Sequence, residues 1–334
     1  MSHSPNPQWR DPLPEPLLKE EYDPQAPSLP KTRTWINVLM LVLTVITTVM
    51  TGLTHAANYD SGYFLDNQIR LWGLPFVDPY IIAQVARPID WMRALGFSFC
   101  ILAILLAHEM GHYLYCRYYR IRATLPYVIP VPIFFGTMGA VIRIREPFRN
   151  RRQLFDVGIG GPIAGFVVLI PVLVLAMLWS STIEAPSPED GLGLVFAVPL
   201  LFDWVGQWLS PLPEGHLWII HPIGWAALFG ALATSINLLP IGQLDGGHIV
   251  YALFGRRWHR IISHAGFFGL IGLSIWSWPV PSYLLFALLV RVFGFRHPPP
   301  LQEEGSPGRK RALWAVAAAL IFVLTFIPVP VRFG

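Results

Sequence analysis

The sequence predicts an all-α polytopic membrane protein of six or seven transmembrane helices with a small membrane-associated β-hairpin. Three observations predict it. Hydrophobic residues make up 54% of the 334-residue chain and charged residues only 13%, which is about half the charged fraction of a soluble protein. The apolar residues gather into runs long enough to cross ~30 Å of hydrocarbon. The segments between those runs differ in sign of charge, as expected of a chain threaded repeatedly through a bilayer.

The elements follow in order. Residues 1–34 hold eight prolines and mixed charge with no apolar core; they read as a disordered cytoplasmic tail without a cleavable signal. Residues 35–93 contain a first span, over 35–56, and an external polar segment with Asp60, Asp66, Arg70 and Asp78. The second span covers 94–115 and has no charge between Arg93 and Glu109. A basic stretch follows, from Arg117 through Arg122 and Arg143 to Arg152. The third span covers 157–179. Segment 181–217 carries Glu184, Glu189, Asp190, Asp203 and Glu214 and no Lys or Arg. The fourth span covers 217–239. Three more apolar runs, 261–278, 283–293 and 313–328, fill the C-terminal region 255–334, and the middle one is short for a crossing.

The positive-inside rule places 117–152 and 255–260 in the cytoplasm and 181–217 on the far side. The net charge of +4 then belongs to cytoplasmic loops. No basic recognition helix or zinc finger supports nucleic-acid binding, so the lipid bilayer is the expected partner surface. The expected location is a multi-pass protein of the cell (inner) membrane. Oligomeric state has no signature in the chain.

Between Val128 and Arg145, Pro130, Pro132, Gly136 and Gly139 break any helix. Ile142 and Ile144 then alternate with Arg143 and Arg145, the period of a strand. A β-hairpin at the cytoplasmic side fits this pattern, lying against protein or a wet cavity.

The chemistry sits at the inner end of the second span, where residues 108–112 read His-Glu-Met-Gly-His. On a helix His108 and His112 point from one face toward one spot. Two imidazoles can hold a zinc ion, and Glu109 between them can act as general base. Ionisable groups inside a span are costly and mark function. Zinc needs a third protein ligand. Asp245, in Asn237-Leu-Leu-Pro-Ile-Gly-Gln-Leu-Asp245-Gly-Gly, offers an oxygen at matching depth, although Asp-Gly is also a common turn pair. Cys116, eight residues from His108, is about 12 Å away along a helix and reads as a packing residue. His55 reads as an interfacial residue, and His297, in a proline-rich stretch, as chemically idle.

These motifs together resemble the site-2 protease family of intramembrane zinc metalloproteases. The resemblance covers the core at 94–254. It implies that one zinc per chain is held by His108, His112 and Asp245, that Glu109 is the catalytic base, and that Asn237 assists substrate or the transition state. It also implies a membrane-spanning protein substrate, cut on the cytoplasmic side. Gly161-Pro162 matches another family feature. Gln243 stands where many members have proline, and no PDZ domain fits between the motifs; both features are closer to the plastid-type and related bacterial branch. Ala140, Val141, Ile142 and Arg143 offer a strand with which an unwound substrate could pair by β-augmentation. A metal transporter and a catalytically inactive scaffold are the rival readings.

Overall fold

Inside hydrocarbon a chain must satisfy its own backbone, which favours helices for the apolar runs. The computed structural model describes residues 34–61, 87–132, 135–184, 194–278, 282–293, 295, 297–302 and 307–333. Nearly all of the predicted tail, together with Asp66, Arg70, Asp78, Glu189 and Asp190, lies outside the described residues.

Helix α1 spans Thr34–Ser61 and α2 spans Pro88–Tyr118. Pro88 suits the first turn of α2, where its missing N–H costs nothing. Asp90 in that turn is buried but paired, 2.9 Å from Arg87 and 3.5 Å from Arg93. Strands β1 (Tyr127–Pro130) and β2 (Thr137–Val141) follow. Helix α3 (Arg151–Trp179) is capped by Asn150, whose side chain accepts from the Gln153 N–H at 3.0 Å. Next come β3 (Ser181–Glu184), β4 (Leu194–Phe196), α4 (Leu200–Leu209) and β5 (His216–Ile219). The chain continues through α5 (Pro222–Asn237), α6 (Asp245–Trp276), α7 (Leu284–Phe293), α8 (Arg309–Thr325) and β6 (Val331–Phe333).

The protein is mostly helical with a small hairpin, and among the described residues three helices are long and apolar enough to span, fewer than the six or seven expected: Thr34–Tyr59, α2 and α3. Apolar runs in the sequence cross element boundaries. The run over 217–239 begins in β5 and continues past the end of α5, whose 16 residues reach only about 24 Å. Helix α6 has 32 residues but is interrupted by non-helical backbone at Gly255 (φ 80°).

The main core gathers α2, α3 and α5 through Phe97, Ile101, Leu169, Leu173 and Trp225. A second cluster of Leu154, Phe155, Tyr251 and Ile321 joins α3 to α6 and α8. His55, read as interfacial, is buried within the protein and stacks on Trp225 with ring centroids 5.1 Å apart. Cys116 packs with Ile121 and Val157, as expected of a packing residue.

The predicted hairpin is present. β1 and β2 pair antiparallel, Tyr127 opposite Val141 and Val128 opposite Ala140. Beyond β2 the Thr124 N–H donates to the Arg143 carbonyl at 3.0 Å and the Arg145 N–H to Arg122 at 2.9 Å. Two further antiparallel pairs, β3 with β5 and β4 with β6, were not expected from the sequence. Strands of three or four residues are too short to show an alternating pattern, yet their backbone groups still need partners.

Candidate metal centre

The helical period alone brings His108 and His112 together on the C-terminal part of α2, with ring centroids 4.9 Å apart. Asp245 arrives from the first residue of α6. The turn before it is tight: the Ile241 N–H donates to Leu239 at 2.7 Å and the Leu244 N–H to Ile241 at 3.1 Å. Gly246 is required there, because a Cβ would lie 2.0 Å from the Leu238 carbonyl oxygen.

The result is one compact donor set. Asp245 Oδ2 lies 3.1 Å from His108 Nε2 and 3.3 Å from His112 Nε2. All three ligand atoms lie within 4.8 Å of one another. Zinc with bonds of 2.0–2.2 Å holds neighbouring tetrahedral ligands about 3.3 Å apart, so these spacings suit it. Two imidazoles and a carboxylate are also ligand types that zinc accepts.

The orientation of His112 is fixed from behind. Its Nδ1 lies 2.7 Å from the Val157 carbonyl oxygen on α3. A carbonyl only accepts, so Nδ1 carries the proton and Nε2 presents its lone pair to a metal. Close approach of the two helices depends on glycine. A Cβ at Gly161 would stand 2.1 Å from His112 Nε2, and Gly111 packs directly on the Gly160 backbone.

The other expected residues fall around this set. Glu109 is buried on the same helix, with the Ile142 backbone nearby. Asn237, the last residue of α5, places Nδ2 3.3 Å from His108 Nε2. Ala140 and Val141 end β2, with Val141 exposed, and Ile142 and Arg143 continue past it.

Sequence reasoning missed several supports. The Val157 carbonyl is backbone, and no residue type marks it. Asp156, beside it, accepts from Arg311 Nε at 2.7 Å and from the Tyr119 hydroxyl. Asp156 is the only acid between residues 147 and 183, a signal that could have drawn attention to it. His297 has a structural place that the sequence did not show: it is buried, donates from Nδ1 to the Pro298 carbonyl at 2.7 Å, and accepts from His248 Nδ1 at 2.6 Å.

Comparison with known proteins agrees with this geometry. The model of "Peptidase family M50" matches residues 96–273. The chain is 33% identical over 241 residues to the rice (Oryza sativa subsp. indica) "Probable zinc metalloprotease EGY2, chloroplastic", covering 69% of this chain and 42% of that protein. It is 26% identical over 327 residues to the Arabidopsis thaliana "Probable zinc metalloprotease EGY1, chloroplastic", covering 94% of this chain and 56% of that one. The chain thus spans about half the length of the curated relatives it matches.

Proposed function

Because the chain belongs to peptidase family M50, we propose that it is an intramembrane zinc metalloprotease that hydrolyses peptide bonds in or near the transmembrane segments of membrane proteins. The observation that carries this reading is the meeting of His108, His112 and Asp245, 137 residues apart between the first and last, beside a buried carboxylate on the same helix. The expected core is 94–254, in a multi-pass protein of the cell membrane with its site toward the cytoplasm. The relatives are named chloroplastic, so the compartment follows the host of this chain.

His108, His112 and Asp245 would hold the ion, and a bound zinc acidifies a water molecule and polarises the scissile carbonyl. Glu109 accepts the proton of the attacking water as its oxygen bonds to the carbonyl carbon. When the C–N bond breaks, Glu109 returns the proton to the leaving amine. Asn237 donates to the oxygen that gains charge. The Val157 carbonyl keeps His112 in the required tautomer throughout.

The substrate segment must be extended to expose its backbone. The edge formed by Ala140, Val141, Ile142 and Arg143 supports pairing with it by β-augmentation, since Ile142 lies near Glu109. A transporter needs ligands spaced along a path, whereas the His108, His112 and Asp245 donors form one closed cluster.

The test compares wild type with Glu109→Gln on a tagged single-span substrate, with zinc measured in both. Zinc content is expected to stay equal while cleavage falls ~10²- to 10⁴-fold, the usual cost of losing a general base. Cleavage by Glu109→Gln at the wild-type rate would refute the reading.

A further inference from the structure

Helix α1 carries an unusual number of polar side chains for a span, and several of them meet the hairpin. Asn37 Nδ2 donates to the Leu125 carbonyl at 3.1 Å and to the Pro126 carbonyl at 2.9 Å. The Thr44 hydroxyl reaches the Val128 carbonyl at 3.3 Å, and the Thr47 hydroxyl donates to the Gly136 carbonyl at 2.6 Å. Gly136 lies so close that a Cβ would stand 2.6 Å from the Thr48 Cα. Backbone carbonyls at membrane depth need such partners, so these side chains cover β1, the residues leading into it and the turn before β2.

The sequence of β1 closes that strand a second way. Pro126, Pro130 and Pro132 have no N–H to offer another strand. β2 contains no proline. Its surroundings are open: a Cβ at Gly139 would meet nothing within 4 Å, and Met138 is 64% exposed.

Past β2 the chain stays tied to the segment before β1: the Arg143 N–H donates to the Thr124 hydroxyl and its carbonyl accepts from the Thr124 N–H, each at 3.0 Å. Ile142, between that tie and the end of β2, has its backbone near Glu109.

We propose that Asn37, Thr44 and Thr47 are positioning residues: α1 holds the hairpin by β1 and by the turn that leads into β2, so that an extended substrate segment is admitted only along the β2 edge, toward Glu109. This rests on the protease reading above. None of the three side chains touches the reacting atoms; they act through the hairpin backbone.

The test uses the full chain in lipid nanodiscs with the tagged single-span substrate. Thr44→Val with Thr47→Val removes both hydroxyls at nearly constant volume. Thr47→Ser is the conservative rescue. Thr54→Val is the control, because among the described residues the Thr54 hydroxyl bonds only to Met50 in its own helix. The double variant is expected to raise KM about fivefold or more, the effect of losing one net hydrogen bond, with kcat and zinc content near wild type. Amide exchange over 127–141 is expected to quicken. Thr47→Ser and Thr54→Val are expected to match wild type in both readouts. Unchanged exchange in the double variant, or a fall in kcat with KM unmoved, would overturn the proposal. Exchange is read without catalysis, so a wild-type protein that binds zinc and cleaves nothing would refute the protease reading while the clamp is still decided.

Discussion

Gly161→Ala is expected to cost the protein its metal although residue 161 is not a ligand. The added Cβ would stand 2.1 Å from His112 Nε2, 2.5 Å from Cε1 and 2.6 Å from Cδ2. Non-bonded carbon atoms rest at about 3.5 Å or more, so the ring must retreat by roughly 1.4 Å. The helices cannot absorb this by sliding, since Gly111 already sits on the Gly160 backbone. Metal–ligand distances tolerate only about 0.2 Å. His112 would leave the donor set and lose its bond to Val157. Losing a ligand's supporting partner alone costs ~10- to 100-fold in affinity, and displacement of the ligand itself is expected to cost at least ~100-fold, or about 2.8 kcal/mol. Chelator competition followed by metal analysis measures this. Gly272→Ala, where an added Cβ meets nothing within 4 Å, is the matched control. Wild-type zinc affinity in Gly161→Ala would show that α3 does not set the position of His112.

Two further outcomes follow from the supports behind the site. Arg311→Met and Asp156→Asn are each expected to destabilise the protein by ~1.5–3 kcal/mol, the scale of a charged hydrogen bond, and to be non-additive in a double-mutant cycle because both remove one contact; additive losses in denaturation would show that the pair does not join α8 to α3. Burial holds His297 down at about 4, against an ordinary value near 6.5. The unfolded chain therefore takes up a proton first, and stability is expected to fall as pH drops from ~6.5 toward ~4. His297→Gln should flatten that part of the melting-temperature profile, and an unchanged slope would refute the assignment.

The division between sequence and structure follows the range of each interaction. The His108–Glu109–His112 face was legible because a helix places i and i+4 together wherever it forms. The hairpin was legible because prolines and glycines forbid helix over 128–139 and alternation resumes after it. Asp245 was legible only as a residue of the right chemistry at the right depth; its 3.1 Å approach to His108 depends on how α6 begins against α2. Fewer of the described helices are long and apolar enough to span than the apolar runs suggested, because hydropathy does not show where a helix ends, as at Asn237 and Gly255. The partner of His112 Nδ1 is a backbone carbonyl, which every residue possesses, so only packing selects Val157. The same holds for the carbonyls that α1 covers. Residue type and period thus determined which groups do the chemistry, and the close contacts between helices decided where those groups meet and what holds them still.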